Sequence, residues 1–187
     1  MGASERPAVI TYFGEINEVM VGLLIEFSCQ AKNAGSSEIR LHISSTGGNL
    51  HAGFAAYHHL RSLGIPLIAH NIGNVESSAV LLFLAADTRV AAPHATFLLH
   101  DFNWIFGSGQ IRVGEIREHL QSLDFDCNRY AEIFNERTQK GFDIRNCLAG
   151  KALRLDAAAA HSAGITTSPA AEPAIPAGAN LWWIRPA

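Results

Sequence analysis

The chain has 187 residues, of which 48% are hydrophobic and 17% are charged, and its formal net charge at pH 7 is -3. This length suits one domain with one hydrophobic core, and the absence of a Lys and Arg cluster argues against nucleic-acid binding. The charged fraction lies below the roughly 25% of average soluble domains, which favours a self-associating protein.

Short apolar runs and scattered cysteines argue against a membrane segment and against disulfides. The first seven residues hold no apolar signal segment, and the longest apolar run, 79–86, is too short to cross a bilayer. Cys29, Cys127 and Cys147 lack the close spacing of zinc ligands or redox pairs. We therefore expect a cytoplasmic protein with reduced thiols, no metal site and no cofactor.

The first hundred residues alternate between strand-like and helical patterns, which predicts βαβ units and an α/β fold with a mainly parallel sheet. Strands are predicted at residues 9–13, 39–44, 67–72 and 96–100, and helices at residues 17–34 and 50–63. A third helix is predicted from Ser77 onward. Because it is apolar on every side, we expect it at the centre of the core.

The rest of the chain is predicted to hold a long helix, a short helix and a tail. Residues 112–140 repeat apolar side chains at helical spacing, on a stripe that suits either the chain's own core or a neighbouring subunit. A short helix is predicted at 157–163. Residues 168–187 are rich in Pro and Ala, so we expect one domain at 1–167 and an extended tail at 168–187. Four residues near the end of the tail are expected to dock on an apolar surface: Leu181, Trp182, Trp183 and Ile184.

Three motifs that can carry chemistry lie at the ends of predicted strands: the turn at Gly47 and Gly48, then Ser77, then His100 as the last residue of its strand. The carboxyl ends of parallel strands meet at one edge of a sheet, so we expect these motifs to converge. Ser77 would be a nucleophile, His100 its general base, and the amides of Gly48 and Ser78 an oxyanion hole. Together these groups predict an acyl-transfer site.

Each motif also has an ordinary structural explanation. Serine is a frequent helix cap, a glycine pair suits a tight turn, and a single histidine at a strand end often has a structural role. The prediction of a catalytic site therefore depends on whether all three motifs lie together.

The order of these motifs resembles the Clp protease proteolytic subunit, within the wider crotonase-like fold. Residues 41–48 resemble the family's Leu-Tyr-Ile-Asn-Ser-Pro-Gly-Gly, residues 73–77 its Gly-Gln-Ala-Ala-Ser, and residues 98–100 its Met-Ile-His. The resemblance covers about residues 11–165. It implies a serine peptidase that assembles into a homo-oligomeric ring of six or seven subunits and cleaves peptides or unfolded proteins. It also implies Ser77 as nucleophile, His100 as base, and Gly48 and Ser78 as the oxyanion hole.

Several positions depart from the family pattern. The position that matches the family's triad carboxylate is Ala152, and Asp156 replaces that carboxylate only if the loop is rebuilt. Asp101 adjoins His100, but neighbouring strand residues point to opposite faces, so it is a poor orienting partner. A short N-terminal segment, and His42 in place of an aromatic that docks the unfoldase ring, weaken the case for an ATP-dependent unfoldase partner.

The residues leave three functions open. A serine peptidase explains Ser77 and His100 together, whereas a non-catalytic structural or regulatory subunit explains Ala152. A crotonase-like acyl-CoA enzyme would instead use the Gly47 and Gly48 amides to bind a thioester carbonyl. The peptidase is favoured because acyl-CoA chemistry gives no reason to keep both Ser77 and His100. Loss of the orienting carboxylate is expected to lower its turnover, by about four orders of magnitude in a known triad.

Overall fold

The computed structural model describes residues 6–103, 110–138 and 142–186 of the chain. Its strands are β1 (Ala8–Phe13), β2 (Ile39–Ser45), β3 (Leu67–Glu76), β4 (Thr88–Ala91), β5 (Thr96–Leu99), β6 (Leu153–Asp156) and β7 (Asn180–Ile184). Its helices are α1 (Glu18–Asn33), α2 (Leu50–Ser62), α3 (Ala79–Leu84), α4 (Val113–Thr138), α5 (Ile144–Leu148) and α6 (Ala157–Ser162). No helix in these ranges is long and apolar enough to span a membrane.

The described strands form one sheet in the order β6-β5-β3-β2-β1-β7, and β4 pairs with the first half of β3. All pairs are parallel except β5 with β6. The predicted α/β fold with a mainly parallel sheet is therefore confirmed. Helix α1 begins where predicted, because the Asn17 side chain accepts a hydrogen bond from the Met20 amide at 2.9 Å.

Strand β3 is longer than the pattern predicted, because its two halves pair with different partners. Residues 68–71 pair with β4, and residues 74–76 pair with β5. Between these halves Gly73 lies against β2, where a Cβ atom would come within 2.8 Å of Ser44 Oγ. Ser44 Oγ also donates a hydrogen bond to Asn74 Oδ1 at 2.9 Å. The strand therefore continues through the glycine up to Glu76, directly before Ser77.

Helix α3 occupies the centre of the core, as predicted. All six of its residues are fully buried, and the Phe83 ring packs edge-on against Phe97 of β5 with centroids 5.1 Å apart. The helix begins at Ala79 and not at Ser77, because the φ of Ser77 is +53° and lies outside the helical region.

Helix α4 divides into two halves with different surroundings. In its second half Tyr130, Ile133 and Phe134 are buried in the core of the same chain. In its first half Val113, Ile116 and Leu120 form an exposed apolar row, here called the α4 stripe. The predicted end of this helix at residues 139 and 140 lies outside the described residues.

The segment after residue 167 crosses the sheet and then joins it. The amide of Ala171 donates to the carbonyl of Ala91 at 3.0 Å, and His70 Nε2 contacts the carbonyl of Ala171 at 2.9 Å. Strand β7 then pairs in parallel with β1. Of the four residues expected to dock, Ile184 is buried and Trp182 packs against the core, whereas Leu181 is 50% and Trp183 62% exposed. The predicted tail thus supplies an edge strand of the main sheet.

Candidate active site

The three predicted motifs lie at neighbouring strand ends. Strands β2, β3 and β5 end side by side, and the turn at Gly47, then Ser77 and His100 follow these ends. A cavity of about 510 Å³ opens there. Its lining consists of Thr46, Gly48, Asn49, Leu50, His51, Ser77, His100, Phe102, Asn103, Leu123 and Asp126. Ser77, His100 and Gly48 therefore share one cavity.

Ser77 occupies a strained turn between β3 and α3. Among the described residues it is the only non-glycine residue with a positive φ, and such a conformation costs roughly 1–3 kcal/mol. Three hydrogen bonds hold it: its amide donates to the Leu98 carbonyl at 3.0 Å, and its carbonyl accepts from the Val80 amide at 3.1 Å and from the Tyr130 hydroxyl at 3.2 Å. Burial raises the pKa of Tyr130, so this hydroxyl keeps its proton.

The glycine turn allows the backbone after β2 to lie directly against the serine. Gly47 has a φ of +87°, and a Cβ atom there would lie 2.6 Å from Ser77 Cβ. Gly48 has a φ of +146°, and a Cβ atom there would collide with the carbonyl oxygen of Ile16. Only glycine fits at either position.

The amides predicted to bind an oxyanion have no acceptor within the described part of the chain. Gly48 N–H and Ser78 N–H donate to none of its backbone or side-chain acceptors. Gly48 is exposed, whereas Ser78 is fully buried and its hydroxyl donates to the Gly48 carbonyl at 3.2 Å. This bond ties the start of α3 to the glycine turn.

His100 follows β5, and its side chain is 25% exposed. Within the described ranges, no hydrogen bond joins it to Ser77, and its nearest carboxylate is Asp101, with Oδ1 3.9 Å from Nδ1. That distance is too long for a hydrogen bond. His100 therefore shares the cavity with Ser77 but has no orienting carboxylate of its own there.

Neither position considered for the third triad member supplies a carboxylate to His100. Leu153 pairs with Leu99 across the antiparallel strands β6 and β5, so the next pair outward places Ala152 opposite His100. Asp156 pairs with Thr96 at the other end of β5, about 13 Å along the strand at roughly 3.3 Å per residue. Its carboxylate caps α6, accepting a hydrogen bond from the Ala159 amide at 2.7 Å.

A second imidazole in the cavity was not predicted from the sequence. His51 Nε2 lies 2.8 Å from Asp126 Oδ2, and both residues line the cavity that holds Ser77. One signal was present in the sequence: Asp126 interrupts the apolar face of the long helix, three residues after Leu123 and four before Tyr130. A carboxylate at such a position needs a partner.

Comparison with known proteins shows the family. A family model described as Clp protease matches residues 4–168. The ATP-dependent Clp protease proteolytic subunit 1 of Leifsonia xyli subsp. xyli (strain CTCB07) is 31% identical over 132 residues, 70% of this chain and 64% of the relative. The ATP-dependent Clp protease proteolytic subunit 2 of Chlamydia trachomatis serovar D is 31% identical over 101 residues, 49% of this chain and 50% of the relative. The chain thus matches half to two thirds of the length of these two relatives.

The similarity extends to three dimensions. A mutant of ClpP1 from Listeria monocytogenes superposes with a TM-score of 0.73 at 19% sequence identity, over 88% of this chain and 90% of that one. This match confirms the predicted fold class, including the long helix beside the mainly parallel sheet. Because the family model spans nearly all of the chain up to residue 168, where the predicted tail begins, the chain belongs to the Clp protease family.

Proposed function

We propose that this chain is a serine peptidase in which Ser77 is the nucleophile and His100 the base that accepts its proton. The observation that carries the proposal is the strained φ of Ser77 inside a cavity shared with His100 and Gly48. A serine that merely capped α3 would need no positive φ, and the cap position belongs to Ser78, whose side chain makes no capping bond. Strain held at a cavity is typical of a functional site.

In the proposed reaction Ser77 Oγ attacks the substrate carbonyl while its proton passes to His100. The developing oxyanion accepts hydrogen bonds from the Gly48 and Ser78 amides, which are free of other acceptors in the described chain. The leaving amine takes the proton from His100, and water then hydrolyses the acyl-serine. Peptides or unfolded segments are the proposed substrates.

A non-catalytic family member is the second candidate, and Ala152 favours it. With Ala152 opposite His100, no carboxylate in the described part of the chain fixes the imidazole tautomer or stabilises the imidazolium. We therefore expect peptide substrates to acylate Ser77 more slowly than they acylate the nucleophile of an efficient serine protease.

Labelling with a fluorophosphonate probe tests the proposal. We expect slow labelling of one site per chain in the parent, none in Ser77→Ala, and labelling at least tenfold slower in His100→Ala. Intact mass spectrometry and peptide mapping identify the labelled residue. A folded parent that remains unlabelled for hours contradicts the proposal and supports the non-catalytic alternative.

We also propose that the chain acts as a homo-oligomeric ring, in the cytoplasm and without a required unfoldase. The α4 stripe supports assembly, because Val113 is 65%, Ile116 40% and Leu120 60% exposed on one side of the helix. All three cysteines are free thiols, which suits a reducing compartment.

A further inference from the structure

The cavity around Ser77 contains a histidine with a carboxylate partner, and that histidine is not His100. His51 is the second residue of α2, and its Nε2 atom lies 2.8 Å from Oδ2 of Asp126 on α4. The imidazole is 67% exposed while the carboxylate is 8% exposed. The histidine thus faces the open cavity, and its partner is buried behind it.

The carboxylate is held firmly from its other side. Arg129 Nη1 donates to Asp126 Oδ1 at 3.0 Å, and the Arg129 guanidinium lies over the Phe54 ring at 3.9 Å from its centroid. Both oxygens of Asp126 are therefore engaged, one by a fixed cation and one by the imidazole. A buried carboxylate held this way keeps the His51 ring in one orientation.

This arrangement determines which ring nitrogen can act as a base. An ionised carboxylate only accepts hydrogen bonds, so the neutral ring carries its hydrogen on Nε2. The lone pair is then on Nδ1, to which no described residue donates a hydrogen bond. When Nδ1 takes a proton, Asp126 stabilises the resulting imidazolium, as a triad carboxylate does. His100 has no such support among the described residues, where its nearest carboxylate oxygen is 3.9 Å away.

We infer that His51, oriented by Asp126, is the base that activates the water in hydrolysis of the acyl-Ser77 intermediate. This inference rests on the proposed peptidase function. The exposure of His51 favours the hydrolytic step, since water reaches this imidazole freely and no hydrogen bond joins it to Ser77 in the described structure. His51 is then a catalytic residue and Asp126 a positioning residue.

The step balances within the cavity. The water oxygen forms a bond to the acyl carbon while one water proton passes to His51 Nδ1. The tetrahedral intermediate collapses with cleavage of the bond between the acyl carbon and Ser77 Oγ. The proton held on Nδ1 returns through water to Ser77 Oγ, and the acyl group leaves as a carboxylic acid.

A chromogenic p-nitrophenyl ester separates the two steps in the full-length protein. Because p-nitrophenolate leaves without taking up a proton, this ester should acylate Ser77 faster than a peptide does, even with His100 unsupported. Acylation then appears as a burst of p-nitrophenol, and hydrolysis sets the steady rate that follows. For His51→Gln, which keeps a hydrogen-bond donor toward Asp126, we expect a full burst followed by a steady rate about a hundredfold lower. Intact mass spectrometry should show the acyl group accumulating on the chain.

Two further variants separate catalysis from a structural role. Asp126→Asn should slow hydrolysis and alter its pH profile, because the imidazolium loses its carboxylate partner. In His51→Gly, added imidazole should restore hydrolysis. His58→Gln is the matched control, since His58 is exposed on the same helix outside the cavity, and it should behave as the parent does.

Failure of the His51 role and failure of the peptidase function give different results. A His51→Gln protein that hydrolyses its acyl group at the parent rate overturns the role of His51, as does one that loses the burst itself. A folded parent that is never acylated contradicts the proposed function instead.

Discussion

The amide of Ser77 donates a hydrogen bond to the carbonyl of Leu98 at 3.0 Å, which ties the strained turn after β3 to the strand that ends beside His100. The nucleophile candidate and the base candidate are therefore positioned by one continuous piece of sheet. Residues 74–76 of β3 pair with residues 96–98 of β5, so movement of either strand end would move both groups.

Gly47→Ala should damage both stability and the site. A left-handed φ destabilises alanine by about 1–2 kcal/mol. The new Cβ atom would lie 2.6 Å from Ser77 Cβ, and this overpacking should lower the free energy of unfolding by about 1–3 kcal/mol more. Gly64→Ala is the matched control, because Gly64 has a φ of +70° with open space around it. Denaturant unfolding and fluorophosphonate labelling check the prediction. Equal behaviour of the two variants would show that contact with Ser77 is unimportant.

Ala152→Asp should accelerate acylation of Ser77. Position 152 lies opposite His100 across β5 and β6, so a carboxylate there can accept a hydrogen bond from the imidazole. We expect the rate of acylation to rise at least tenfold at neutral pH, and by no more than about four orders of magnitude. Ala158→Asp places the same charge on the exposed side of α6 and should change nothing. A rate that stays at the parent level in Ala152→Asp would mean that orientation of His100 does not limit the reaction.

Acid should destabilise the fold through the buried pair His42 and His70. Burial, then the neighbouring His70 and Arg40, lower the pKa of His42 from 6.5 to about 4. The unfolded chain therefore binds the proton more tightly, and stability falls as the pH drops from about 6.5 to about 4, by up to about 3 kcal/mol. Burial also lowers the pKa of His70, in the same direction.

Unfolding by urea across this pH range measures the effect. The profile of His42→Phe should be flatter than that of the parent, whereas His94→Gln, at an exposed turn position, should leave it unchanged. An unaltered slope in His42→Phe would assign the acid sensitivity to other groups.

Strand β7 should stabilise the sheet through alternate residues only. Ile184 is 1% exposed against the core, while Trp183 is 62% exposed. We expect Ile184→Ala to lower the free energy of unfolding by about 3 kcal/mol, and Trp183→Ala to lower it by less than about 1 kcal/mol. Thermal and denaturant unfolding measure both. Comparable losses would mean that the exposed face of β7 is covered in solution.

A charge in the α4 stripe should disrupt assembly. Leu120→Glu places a carboxylate in the exposed apolar row, and it should shift the particle from an oligomer toward a 20.2 kDa monomer in light scattering. Gln121→Glu adds the same charge one residue later on the same helix, outside the stripe, and should leave the oligomer intact. A parent that is already monomeric at micromolar concentration contradicts the proposed ring.

Local patterns predicted the parts of this fold that depend on nearby residues. Strands β1, β2 and β5 and helices α1, α2 and α6 lie within two residues of their predicted bounds, because alternation, caps and stop signals act over a few residues. The patterns did not predict β4, α5, β6 or β7. These elements are short, and their strands exist through pairing with distant strands, which no local pattern records.

The sequence by itself determined the fold class, the family motifs and the convergence expected of Gly48, Ser77 and His100, since parallel strands bring their carboxyl ends to one edge. Only the tertiary structure decided which side chains meet there. Asp156 faces away because the antiparallel register of β6 places it beside Thr96. Asp126 reaches His51 because the core brings α4 close enough to α2 for side chains of the two helices to meet. Register and helix packing join residues far apart in the chain, and both depend on the whole core and not on any single segment.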